Sequence, residues 1–266
     1  MHPPLSSVTP PAIRLHGLTL GYGRHLAVQA LNLCIGPGSM IAVVGPNGAG
    51  KSTLITALAG GMRALSGRME GLTQQRTAWL PQQSAVDFSF PIDVRGMVSM
   101  GLWHRIGAWG RFTAEHRRQC DEALAQVGLS GFASRGLDTL SGGQRQRALF
   151  ARLILQDAPV VLLDEPFAAV DNRTTDDLLV LLQRWHAQGK TVIAVLHDLP
   201  QVRAHFPLTL LLARELIAFG PTAGVLTDAN WARAQHIPDP FDEPAPRSNT
   251  VPMASARSQG KPVIPA

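Results

Sequence analysis

The chain has 266 residues, of which 45% are apolar and 16% charged, and its formal net charge is +5. That length supports a sizeable core in one or two domains, and the composition excludes a disordered or fibrous protein. No stretch approaches the roughly 20 consecutive apolar residues of a membrane-spanning helix. The start, with Pro3, Pro4, Pro10 and Pro11, has no basic segment followed by an apolar one, so it does not read as a secretory signal and the chain is expected in the cytoplasm. Basic residues are scattered, with short groupings such as Arg117/Arg118 and Arg145/Arg147, which points to a solvated surface and away from nucleic acid. Cys34 and Cys120 form no CxxC or Cys/His spacing, which argues against structural zinc or a disulfide framework, and both are expected as buried thiols.

In chain order, residues 1–12 read as a flexible lead. Segments 13–20 and 27–35 alternate as strands do, and 40–44 is a short apolar run that leads through a glycine-rich loop into a helix at 51–59. Residues 160–163, 191–196 and 208–213 are further buried strands, and 174–187 is a helix between the first two. Strands alternating with helices predict an α/β fold with a mostly parallel sheet covered on both faces. Between these halves, about 91–140 turns helical, with apolar residues at helical spacing over 114–127, and reads as an inserted helical subdomain. From 238 to 266 the chain is rich in Pro, Ser, Ala and Arg without apolar periodicity and is expected to be a disordered tail.

Gly45, Pro46, Asn47, Gly48, Ala49, Gly50, Lys51, Ser52 and Thr53 satisfy G-x-x-x-x-G-K-[ST] between a buried strand and a helix, the context that motif requires. The glycines let backbone N–H groups turn toward phosphate oxygens, and the start of the helix adds attraction. Lys51 is expected to reach the β- and γ-phosphates, and the Ser52 hydroxyl to ligate magnesium. The run Val160, Val161, Leu162, Leu163 ends in Asp164 and Glu165. Asp164 then sits at a strand's C-terminal end, placed to hold magnesium, and Glu165 beside it is placed to polarise an attacking water as general base.

Those two elements indicate a nucleotide hydrolase. Leu140, Ser141, Gly142, Gly143 and Gln144 stand before a helix carrying Arg145 and Arg147, and with Tyr22, Gln82, Asp171 and His197 the chain closely resembles the ATP-binding subunit of ABC transporters over about 13–237. The resemblance implies a P-loop cassette with an N-terminal antiparallel β region, ATP and Mg2+ as ligands, and a head-to-tail dimer that sandwiches two ATP molecules. In that dimer Ser141, Gly142 and Gly143 would contact the γ-phosphate of ATP held by the other copy's Lys51, with Gln144 completing the motif. Tyr22 matches the aromatic residue that stacks on adenine, and His197 the histidine that contacts the γ-phosphate. Asp171 matches the loop that crosses the dimer interface, and it also reads as a helix N-cap. Gln82 matches the glutamine that touches magnesium and the attacking water. Gln83 follows directly, and Gln82 is preferred because it comes right after the strand 77–80 and its proline.

The segment with Val86, Asp87, Phe88, Ser89, Phe90, Pro91, Ile92, Asp93 and Val94, then Met97, Val98, Met100, Gly101, Trp103, Ile106, Gly107 and Trp109, is similar to the cassettes of zinc and manganese importers. Phe167 and the stretch 216–221 fit the same subgroup. Cassettes of iron–siderophore or cobalamin importers have related segments, and a soluble ABC ATPase without a permease is a further alternative. The resemblance implies transmembrane permease subunits on the cytoplasmic face of the cell membrane and, indirectly, a substrate-binding protein. Part of this segment is expected to form a groove for a short permease helix, with Phe90 and Met97 at the contact; the alternative for Phe88, Phe90 and Trp103 is core packing.

Overall fold

Alternating apolar residues near the N-terminus close into an antiparallel hairpin of β1 (Ile13–Tyr22) and β2 (His25–Ile35), and β4 (Ser66–Glu70) pairs with the other edge of β1. The structure is a computed structural model, which describes residues 10, 12–23, 25–72, 77–82, 88, 90–107, 109–168 and 170–236. The proposed tail, most of the N-terminal lead, Gln83, Val86, Asp87, Ser89 and Ala169 lie outside the described residues.

A second sheet runs in the order β5-β6-β7-β3-β8-β9. Its members are β3 (Met40–Val44), β5 (Thr77–Leu80), β6 (Val160–Asp164), β7 (Thr191–Val195), β8 (Leu208–Ala213) and β9 (Glu215–Pro221). The first five are parallel and β9 closes the edge antiparallel to β8. Every residue of β3, β6 and β7 is buried, as expected for strands covered on both faces. Successive side chains feed two cores. Ile41, Val43, Val160, Leu162, Ile193 and Val195 meet the hairpin and α1 (Lys51–Leu58) on one side. Ala42, Val44, Val161, Leu163, Val192 and Ala194 meet the helical layer on the other.

That layer contains α2 (Val94–Ser99), α3 (Trp103–Ile106), α4 (Ala114–Gln126), α5 (Gly142–Gln156), α6 (Asn172–Ala187), α7 (Leu199–His205), α8 (Thr222–Val225) and α9 (Asp228–Gln235). The helices of region 91–140, α2 and α4, pack on α5. α6 begins two residues before the expected 174 because the Asp171 side chain caps it. The strands β4 and β9 have no counterpart among the sequence expectations. β4 is mostly exposed and contains Gly67, and β9 is half-buried without alternation, so neither carries the period of a strand with one wet face.

Two expectations are corrected here. Cys34 is exposed, because it lies on the solvent-facing alternation of β2 between buried Leu33 and Ile35; Cys120 alone is buried. Met97 is only 5% exposed, packed with Val94 and Val98 on the face of α2 that meets the core, so it cannot form part of a groove surface. Phe90, Trp103 and Trp109 are 61%, 68% and 98% exposed, whereas Phe88 is half-buried against the core. Among the described residues no helix is long and apolar enough to cross a membrane.

Candidate active site

The ends of β3, β5, β6 and β7 meet at one edge of the sheet, and the candidate residues follow them. After β3 the backbone passes through Gly45 at φ 154, where a side chain would collide with the Leu212 carbonyl. Gly50 caps α1 at φ 88 without a side-chain cap, so the first turn keeps backbone donors that no side chain of the cap satisfies. The Lys51 ammonium is buried and donates to the carbonyls of Gly45 (2.9 Å) and Pro46 (2.8 Å), which folds the loop around its own cation. Burial pulls its pKa below the ordinary lysine value, against the opposing pull of Glu165 and Asp164.

The Ser52 hydroxyl donates to Asp164 Oδ1 at 3.0 Å. Asp164 ends β6 almost fully buried, and burial raises its carboxyl above the usual range, with the Ser52 bond acting against it. A serine hydroxyl and a carboxylate side by side are hard oxygen donors of the kind magnesium takes, so this pair fits that ion. The next residue, Glu165, has φ 50, a left-handed conformation that non-glycine residues adopt at a cost. Its carboxylate pairs with His197 Nε2 at 2.7 Å through Oε1 and accepts from Gln82 Nε2 at 3.1 Å through Oε2. Gln82 follows β5, and His197 comes two residues after β7. Three strand ends thus converge on one carboxylate.

Lys51, Ser52, Glu165 and His197 face a cleft of about 330 Å³ that is also lined by Tyr22, His25, Leu26, Ala27, Asn47, Gly48, Ala49, Gly50 and Thr53, while Asp164 and Gln82 reach it through their bonds to Ser52 and Glu165. Tyr22 is 61% exposed, with its hydroxyphenyl available as a flat surface at the end of the cleft formed by the hairpin. His25, Leu26 and Ala27 were not singled out from sequence. The signal was available, since they follow Tyr22 directly across the β1–β2 turn, where Tyr22 pairs with His25.

The remaining candidates form a second cluster away from this cleft. Ser141 caps α5 by accepting from Gln144 N at 3.3 Å while Gln144 Oε1 accepts from Ser141 N at 3.0 Å, a complete capping box. Gly142 and Gly143 open the helix. Asp171 caps α6, accepting from Thr174 N at 2.9 Å and from its hydroxyl at 2.8 Å, and these bonds hold its carboxyl below the usual carboxylate range. A side chain on Gly143 would come within 3.2 Å of Asp171 Oδ2, so the two caps are neighbours. One chain therefore groups its candidates into a phosphate-loop cleft and a separate pair of capped helix starts.

The family model for ABC transporters matches residues 28–168. The manganese transport system ATP-binding protein MntB of Halalkalibacterium halodurans is 38% identical over 82% of this chain and 89% of that protein. The zinc transport system ATP-binding protein TroB of Treponema pallidum is 37% identical over 86% of this chain and 88% of that one. Among solved structures, an ABC transporter in an inward-facing conformation, described as of metal-chelate type, superposes with a TM-score of 0.75 at 33% identity, covering 85% of this chain and 90% of that one. A bacterial ABC transporter cassette solved as a dimer gives 0.70 at 25% identity, covering 79% and 98%. The phosphate-loop motif, the motif at 140–144 that opens the capped helix α5 (its signature) and these matches lead to one conclusion: the chain belongs to the ABC transporter family, as an ATP-binding cassette that hydrolyses ATP.

Proposed function

We propose that this cassette drives the import of a divalent metal ion, manganese or zinc, across a cell membrane by hydrolysing MgATP between two copies of itself. The observation that carries hydrolysis is the Glu165 carboxylate, held between His197 and Gln82 at the mouth of the phosphate-loop cleft. Glu165 accepts the proton of the attacking water, Gln82 and His197 fix its orientation, and Lys51 leaves its carbonyl partners to meet the β- and γ-phosphates. Ser52 and Asp164, together with Gln82, would hold magnesium, which would supply positive charge to the phosphates. Tyr22 stacks on the base.

Ser141, Gly142, Gly143 and Gln144 of a second copy close the cleft, with Asp171 at the seam. The cassette spans 13–237 with its helical subdomain at about 91–140, flanked by the lead and the tail. It works on the cytoplasmic face against permease subunits, through the exposed aromatics Phe90, Trp103 and Trp109, and a substrate-binding protein delivers the cargo. The metal assignment rests on the likeness to the manganese and zinc system proteins.

Deleting the gene from its host and measuring cellular manganese and zinc tests this. Metal accumulation falls, wild type restores it, and Glu165→Gln does not. Unchanged metal content in the deletion strain, or full restoration by Glu165→Gln, contradicts the proposal.

A further inference from the structure

Arg147 occupies the second turn of α5, three residues beyond the capping box, and its side chain is 17% exposed. Its guanidinium makes three contacts on two other elements. Nη1 donates to the Val127 carbonyl at the end of α4 (3.0 Å); Nη2 donates to the Thr174 hydroxyl (3.1 Å) and to Asp177 Oδ2 (2.8 Å), both on α6. Thr174 passes the connection on, because its hydroxyl donates to Asp171 Oδ2, the carboxylate that caps α6 and faces Gly143. A planar cation with five donors in a fixed fork serves this geometry, and an ammonium does not. The preceding residue, Gln146, is 1% exposed and donates to the Pro166 carbonyl, one residue past Glu165.

We infer that Arg147 is the positioning residue that locks the signature cluster of Ser141, Gly142 and Gly143 to Asp171. The two capped helix starts then approach a partner chain as one rigid surface. The inference rests on the dimer reading above and extends it to a residue that touches neither nucleotide nor metal. Mechanistically, Arg147 spans α4, α5 and α6, so a shift of the helical layer carries Asp171 with the signature loop. Without the fork, Asp171 still caps α6 through Thr174, but the two starts move independently, and the partner's nucleotide meets them one at a time.

The test uses the full chain in a Glu165→Gln background, which retains ATP, and follows ATP-driven dimer formation by light scattering. Two substitutions break the chain of contacts at different links: Arg147→Lys keeps the charge, and Thr174→Val keeps the shape while removing the hydroxyl. Each is expected to weaken dimer association about tenfold, the effect of one lost charge-assisted hydrogen bond. The double variant is expected to be little worse than either single one, because both cut the same connection. Binding of fluorescent ATP to the dilute monomer should stay at the parent value for Thr174→Val, and its melting transition should be lowered by the lost hydrogen bonds but stay cooperative, which a general loss of folding would not allow. Parent-like dimerisation of both single variants, or fully additive losses, overturns the inference. A parent that stays monomeric with ATP removes the dimer reading and the inference with it.

Discussion

Glu165 shows what a single position owes to its neighbours. Its left-handed backbone is strained by about 1–3 kcal/mol, and it follows a strand whose five residues are all buried and paired. The carboxylate is turned toward His197 and Gln82, which arrive from the two strands flanking β6. Lys51, Ser52, Asp164 and Glu165 were legible in the sequence because their motifs are local: a strand end followed by a fixed run of residues. The hydrogen bonds among Gln82, Glu165 and His197 were not, because they depend on the order β5-β6-β7 in the sheet, and no residue spacing encodes that order.

The cysteines make the same point in reverse. Sequence marked both as buried, yet only the strand alternation of β2 decides Cys34. Cys120 is fully enclosed and burial pushes its thiol up to about 11, whereas Cys34 faces solvent. Titration of the native protein with a thiol reagent near pH 8 should therefore modify one cysteine per chain rapidly, and the second only after unfolding. Two fast thiols, or none, would contradict the assignment.

At the level of elements, those with one long apolar period were readable. The helix expected at 114–127 is α4, Ala114–Gln126, and the strands at 40–44 and 208–213 are β3 and β8. The short pieces between Pro91 and Trp109 were not, since six residues of helix cannot show which face is buried. α2 turns Val94, Met97 and Val98 inward, while Phe90 and Trp103, just outside that helix, stay in solvent. Here Phe90 and Trp103 therefore face outward where Met97 faces inward.

The consequence is a contrast between two substitutions. Met97→Asp buries an unpaired carboxylate and should cost at least about 3 kcal/mol of stability. Phe90→Asp should change stability by less than about 1 kcal/mol and, if the aromatics meet a permease, should abolish metal transport while leaving ATP binding intact. Denaturant midpoints distinguish the two at once, and equal midpoints would contradict the burial difference.

For the whole molecule, the arrangement of two separate clusters is the feature with the widest reach. The phosphate-loop cleft holds a lysine, a paired serine and aspartate, and a positioned glutamate, but the capped starts of α5 and α6 lie elsewhere in the same chain. In the proposed head-to-tail pairing of two copies, each cleft would meet the other copy's helix start at Ser141 and two equivalent sites would form, so that the motif at 45–53 would describe half of a site. The α/β class with a mostly parallel sheet was legible from strand–helix alternation, but the order of the strands was not. The antiparallel edge β9 and the strand β4 were not, because a half-exposed strand without alternation looks like a loop until its partner is known.

The most direct test mixes two variants that are each inactive in a composite site. Lys51→Ala removes the phosphate-binding cation from one cleft, and Ser141→Arg blocks one signature cluster. In a mixed dimer the Lys51→Ala chain still supplies its Ser141 to the cleft of its partner, whose Lys51 is intact, so one of the two sites is complete. Equal amounts of the two chains should regain ATPase activity, up to about a quarter of wild type if pairing is random and the sites act independently, although either chain alone hydrolyses at background. A mixture no more active than its components, or a Ser141→Arg chain that hydrolyses ATP like wild type, would contradict a site shared between two copies.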